Sequence, residues 1–121
     1  KNNMIMDKHL LSNELKNLSN WKLEKDYIVR VIPMHNWKGV MMLANAIAHL
    51  AEKAWHHPDL ILTFSSITVK LSSHDVGAIT QRDITLAKKI DELVEWNVKD
   101  DCQELDGTPD DPVFRYIKFS K

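Results

Sequence analysis

The sequence predicts an α+β fold: a four-stranded antiparallel sheet carrying three helices on one face, in the order α-β-β-α-β-β-α. Three observations lead there. A period-two hairpin spans Trp21 to Met34, a helix-period stretch runs from Trp37 to Trp55, and a second pair of β-favouring runs precedes a last helical stretch. The unit of two strands followed by a helix thus occurs twice.

After a polar lead, Ser12 is placed to cap a short helix through Leu15 and Leu18, with Glu14 in the first turn, where the helix dipole favours an anion. Trp21, Leu23, Tyr27, Val29 and Val31 then alternate across a Lys25-Asp26 turn, which reads as a β-hairpin. Pro33 and Asn36 punctuate its end, and Asn36 can accept the first free amides of the next helix. In that helix Trp37, Val40, Met41, Ala44, Ile47, Ala48, Ala51 and Trp55 follow the i, i+3, i+4, i+7 rule, so they mark the expected core face. Met42, Leu43, Ala46, Leu50 and Ala54 widen the apolar surface beyond one stripe. A second element or a second subunit is needed to cover it, and self-association is the expectation.

Pro58 cannot continue the helix and pushes the preceding residue toward extended geometry, so His57 falls just past the last turn. Leu60–Phe64 and Ile67–Leu71 are β-favouring runs joined at Ser65-Ser66, the second with polar partners at alternate positions. Gly77 marks a turn, and Thr80 opens a helix with the stripe Ile84, Ala87, Ile90 or Asp91, and Val94. Residues 1–99 form one expected domain. Residues 100–121 are an acidic loop with Gly107 and Pro109, then a tail whose Val113–Phe119 run is apolar enough to dock as an edge strand or on a neighbouring subunit.

Composition removes several classes of function. At 121 residues the chain can bury a core without staples, and 16 basic against 17 acidic residues create no field that would gather nucleic acid or an anionic membrane. No apolar run approaches the roughly 20 residues that span a bilayer, and the polar start Lys1-Asn2-Asn3 lacks the pattern of a secretory signal. A lone Cys102 forms no internal disulfide, which fits a reducing compartment such as the cytoplasm.

The polar residues gather where the long helix must stop. Glu52-Lys53-Ala54-Trp55-His56-His57-Pro58-Asp59 is answered by Ser72-Ser73-His74 and by Thr80-Gln81-Arg82-Asp83. Three imidazoles and two carboxylates at one chain corner are material for acid–base chemistry near neutral pH. Each has a plainer explanation when taken alone. Histidines finish helices favourably, His74 is an ordinary residue after a strand, and Thr80 with Asp83 has the spacing of a capping box. The joint spacing is what lifts them above those explanations. Glu52, three residues, His56-His57-Pro58, five residues, Phe64, nine residues, His74, eight residues and Asp83 resemble the signature of the pterin-4a-carbinolamine dehydratases, and the resemblance runs from about Trp21 to Leu93.

That resemblance implies dehydration of a 4a-hydroxytetrahydropterin to a quinonoid dihydropterin, recycling the tetrahydropterin left by aromatic amino-acid hydroxylases, with neither metal nor cofactor. It implies His57 as base or main positioning group, His56 and His74 as acids toward hydroxyls on either face of the ring, and Glu52 and Asp83 as binding or orienting groups. Trp55 departs from the family pattern and is expected either to flank a planar heterocycle or to pack on a partner. The resemblance also implies a homodimer or homotetramer. It further implies an alternative role as a non-catalytic dimerisation or assembly factor that uses helix 37–55, which would admit a nuclear location.

Competing chemistries find less support. His49, His56, His57 and His74 supply nitrogen ligands, but adjacent histidines at a helix end diverge and no HExxH pair accompanies them. Cys102 lies among Asp100, Asp101 and Glu104, which oppose a thiolate. No serine sits in a GxSxG turn, and the three glycines are too dispersed for a phosphate loop.

Overall fold

The computed structural model describes residues 4–119; the Lys1-Asn2-Asn3 start and the last two residues lie outside them. Its elements are α1 (Lys8–Lys16), β1 (Lys22–Glu24), β2 (Tyr27–Pro33), α2 (Trp37–Ala54), β3 (Asp59–Thr63), β4 (Ser66–Leu71), α3 (Gln81–Glu95) and α4 (Val98–Asp101). The expected order of three helices and four strands holds, with the short α4 added after the third helix. That added turn straddles the expected boundary at 99/100.

The strands form one antiparallel sheet in the order β1-β2-β4-β3, so β2 and β4 are central. Register places Ile28 opposite Leu71, Arg30 opposite Val69, and Ile32 opposite Ile67, while Leu60 and Leu62 of β3 face Val69 and Ile67. These residues line the face on which the helices pack. Leu11 of α1, Val40, Leu43, Ala44 and Ile47 of α2, and Ile84, Leu86, Ala87, Ile90 and Val94 of α3 complete one continuous core.

Several expectations shift by a residue or a turn. Asp7, not Ser12, caps α1, its carboxylate accepting the Leu10 amide at 2.8 Å. The expected hairpin is present as β1 and β2; the helix-covered face of β2 carries Ile28, Arg30 and Ile32, and Val31 is exposed. Arg30 belongs inside because its guanidinium meets Asp91 and reaches Glu95 at 2.6 Å, while Trp21 Nε1 donates to the same Asp91 at 2.9 Å. On α2 the buried stripe is Val40, Leu43, Ala44, Ile47 and Ala51, and Trp37, Met41, Ala48 and Trp55 are exposed. The core face is therefore rotated toward Leu43 and away from Met41. The β3–β4 turn falls at Phe64-Ser65, one residue early.

The tail docks on its own chain. Ile117 bridges Met34, the Lys118 amide donates to Pro33 O at 2.9 Å, and the His35 amide donates to Tyr116 O at 2.8 Å. Gly39 lets it approach, because a Cβ there would collide with the Tyr116 side chain. Among the described residues, no helix is long and apolar enough to cross a membrane.

Candidate active site

The site lies at the C-terminal end of α2, beside the β4–α3 connection. α2 closes with Trp55 in the left-handed region (φ 51, ψ 45); the Trp55 amide donates to Glu52 O and the His56 amide to Ala51 O. This Schellman-type ending turns the chain sharply before Pro58. It sends the adjacent imidazoles to different partners: His56 Nε2 lies 2.6 Å from Asp83 Oδ1, and His57 Nε2 lies 2.9 Å from Glu52 Oε1. His56 is largely buried and His57 half exposed. An ionised carboxylate only accepts, so each Nε2 carries the proton and each Nδ1 is left for exchange.

Asp83 is the hub. It is fully buried, and its second oxygen accepts Ser73 Oγ at 2.8 Å and the Thr80 amide at 2.9 Å. The capping box expected from Thr80 and Asp83 is present, with the Thr80 hydroxyl accepting the Arg82 amide. One carboxylate therefore fastens the start of α3, the serine ahead of His74, and His56.

His74 projects from the Ser73–Gly77 turn, where Gly77 adopts φ 65 and both the Val76 and Gly77 amides donate to Ser73 O. Its ring meets Tyr27 edge-on at 6.2 Å, and Lys70 Nζ sits 4.7 Å over the Tyr27 ring. The structure thus joins His56 to Asp83, and Glu52 and Trp55 to His57, while among the described residues no hydrogen bond, ion pair or ring contact links His74 to either group. Glu52 pairs with His57 although it stands one helical turn before His56, because the αL cap swings the chain back across that face. Asp83 supports His56 and Ser73 rather than His74 directly.

Sequence reasoning assigns no role to Ser73, Tyr27, Asp75 or Arg82. Ser73 had a signal: it continues the inward phase of Ile67, Val69 and Leu71, and a buried hydroxyl needs a partner. Asp75 ties the His74 turn to α3 through Arg82 Nη2 at 2.8 Å. The Arg82 hydrogen bond holds the exposed Asp75 carboxyl below its ordinary 3.8, and the charges of Arg82 and His56 act in the same direction. Among the described residues, no three His, Cys, Asp or Glu side chains are grouped to hold a metal ion. His49 lies apart, on a groove between α2 and α3 with Leu50 and Trp96.

A family model described as pterin 4 alpha carbinolamine dehydratase matches residues 5–93. A relative from Aquifex aeolicus, provisionally named pterin-4-alpha-carbinolamine dehydratase, is 52% identical over 86 residues, covering 71% of this chain and 87% of its own. Among solved structures, a transcriptional coactivator/pterin dehydratase from Brucella melitensis matches with TM-score 0.70 at 22% identity, covering 74% of this chain and 98% of that one. A pterin dehydratase-like protein identified as a RuBisCO assembly factor in the alpha-carboxysome matches with TM-score 0.51 at 14% identity, covering 64% and 89%. These two share the fold.

Proposed function

This chain belongs to the pterin-4a-carbinolamine dehydratase family, and from that premise we propose that it catalyses the dehydration of a 4a-hydroxytetrahydropterin to quinonoid dihydropterin and water. The observation that carries the proposal is the pair of carboxylate-held imidazoles at the end of α2, His56 with Asp83 and His57 with Glu52.

The reaction needs one proton delivered and one removed. The C4a–O bond breaks as its hydroxyl oxygen takes a proton and leaves as water; the N5 proton departs, and its bonding pair becomes the second bond of C4a=N5. His57, with Nε2–H held by Glu52, takes the N5 proton at Nδ1. His56, in its protonated form with Nε2–H held by Asp83, gives its Nδ1 proton to the leaving hydroxyl. His74, braced by Tyr27, serves as acid toward a hydroxyl on the opposite ring face. Each positioned acid or base contributes about 10²–10⁴-fold. This chemistry is proton transfer throughout and draws on no redox partner.

The test is stopped-flow absorbance of 4a-hydroxytetrahydropterin generated in situ, comparing no protein, the wild type and His57→Ala. Acceleration lost in a folded variant is the expected result; full activity in His57→Ala removes that residue as the base.

A second reading rests on α2, where Trp37, Met41 and Met42 remain exposed on the subunit. Such a surface suits a homo-oligomer or a partner protein. It is compatible with catalysis, because these side chains lie in the first half of the helix and the site at its end.

A further inference from the structure

We propose that Trp55 is a strained aromatic platform on which the planar amide–guanidine part of the substrate's pyrimidine half stacks beside His57, making Trp55 a specificity-determining residue; this rests on the pterin reading above. The Schellman-type ending of α2 requires a positive φ at residue 55, a conformation that glycine or asparagine adopts readily and that is an outlier for a bulky side chain. Local structure therefore disfavours tryptophan here.

Packing does not compensate. The side chain is 74% exposed, the indole nitrogen has no hydrogen-bond partner among the described residues, and its ring contact is His57, edge-on at 5.0 Å and 82°. A residue that costs stability in its backbone and recovers little by burial points to a use in binding. What the indole supplies is a planar apolar surface where the Glu52–His57 pair opens to solvent. A 4a-hydroxytetrahydropterin matches both neighbours: a planar, conjugated amide–guanidine stretch for offset stacking on the indole by the ring face away from the hydroxyl, and an N5–H and a C4a hydroxyl for the imidazole.

The other occupant to consider is a second subunit. The exposed apolar side chains Trp37, Met41 and Met42 stand on the same helix but roughly 20 Å or more away, at 1.5 Å per residue. Trp55 is instead continuous with polar, titratable groups.

The test uses the full chain as wild type, Trp55→Asn and Trp55→Phe, with four readouts: steady-state dehydration, quenching of tryptophan emission by non-reacting 7,8-dihydropterin, thermal unfolding and sedimentation velocity. For Trp55→Asn the expected result is a KM raised about 3–10-fold with kcat within about 3-fold, because a lost stack weakens binding more than proton transfer. Its Tm should rise by roughly 2–5 °C as the αL strain is relieved. The dihydropterin-dependent quenching should shrink accordingly. Trp55→Phe should restore KM to within about 2-fold without the gain in Tm, since it keeps both ring and strain. An unchanged KM and unchanged quenching in Trp55→Asn overturn the inference. A shift to a smaller assembly with KM unchanged overturns it in favour of a subunit contact. If the wild type fails to accelerate dehydration while dihydropterin still quenches Trp55, the proposed reaction falls and the stacking platform stands.

Discussion

Asp83→Asn separates the scaffold work of Asp83 from its work on His56. The carboxylate accepts three hydrogen bonds: two on Oδ2, from Ser73 Oγ and the Thr80 amide, and one on Oδ1, from His56 Nε2 at 2.6 Å. Asparagine keeps the shape and has one accepting oxygen. The Thr80 amide can only donate, so the amide oxygen must stay at the α3 cap and the NH₂ group must face His56. His56 then has to accept at Nε2, which moves its own proton to Nδ1 and inverts the tautomer. Exchanging a charge-assisted bond at a fully buried site for a neutral one costs about 1–2 kcal/mol, so the variant should remain folded with a lowered Tm. The effect on turnover should be far larger, roughly 10²–10⁴-fold, because a wrongly tautomerised imidazole offers the wrong atom. Long-range ¹H–¹⁵N correlation spectra read the tautomer and stopped-flow absorbance reads the rate. A folded Asp83→Asn protein that keeps Nε2–H on His56, or retains more than about a third of wild-type turnover, would refute the reasoning.

Three further changes probe the scaffold around this hub. Arg30→Met leaves Asp91 and Glu95 as neighbouring like charges four residues apart on α3, and because both carboxylates are partly exposed the loss should be about 2–3 kcal/mol in urea unfolding, below that of a fully buried pair. Gly39→Ala raises helix propensity by about 1 kcal/mol, but its Cβ collides with Tyr116; the tail should lift, seen as faster amide exchange at His35 and Lys118. Asp75→Asn tests the latch on the His74 turn. The Arg82 bond depresses the Asp75 carboxyl, so its stabilisation is present above the ordinary 3.8 and is lost as pH falls through the lower folded value. Thermal scans from about pH 6 to about pH 2 should therefore show the wild type losing more stability on acidification than Asp75→Asn, and parallel curves would remove the latch.

Much of the fold was legible because hydrophobic period and punctuation agreed. Asn36, Pro58, Gly77 and Thr80 bound their elements where local chemistry says they should, and Asn36 Oδ1 does accept the Gly39 amide at 2.7 Å. The errors share one cause: side chains whose burial is decided by a partner far along the chain. Arg30 looks like a surface residue until Asp91 and Glu95, some sixty positions away, neutralise it, so the period-two pattern marks a strand without telling which of its faces is inward. The core face of α2 is ambiguous in the sequence because apolar side chains lie nearly all round that helix, and composition alone does not choose between Met41 and Leu43. Asp7 and Ser12 are both competent caps, and only the docked position of α1 decides between them.

The candidate residues are legible from the sequence, but their pairing is not. The spacing brought out Glu52, His56, His57, His74 and Asp83. Which carboxylate serves which imidazole depends on the αL turn at Trp55, and nothing in a tryptophan announces a positive φ. The Ser73 link between the two halves of the site depends on a strand phase that continues past the end of β4.

The most direct measurement of the central claim is the single-turnover rate of 4a-hydroxytetrahydropterin dehydration with protein in excess, for the wild type and for the double variant His56→Gln/His57→Gln, each against the spontaneous rate. Acceleration by the wild type, and a double variant that falls to within a few-fold of the spontaneous rate while keeping its fold, are the expected results. A well-folded wild type no faster than buffer, or a double variant as fast as the wild type, would contradict the claim that the two carboxylate-held imidazoles at the end of α2 carry the reaction.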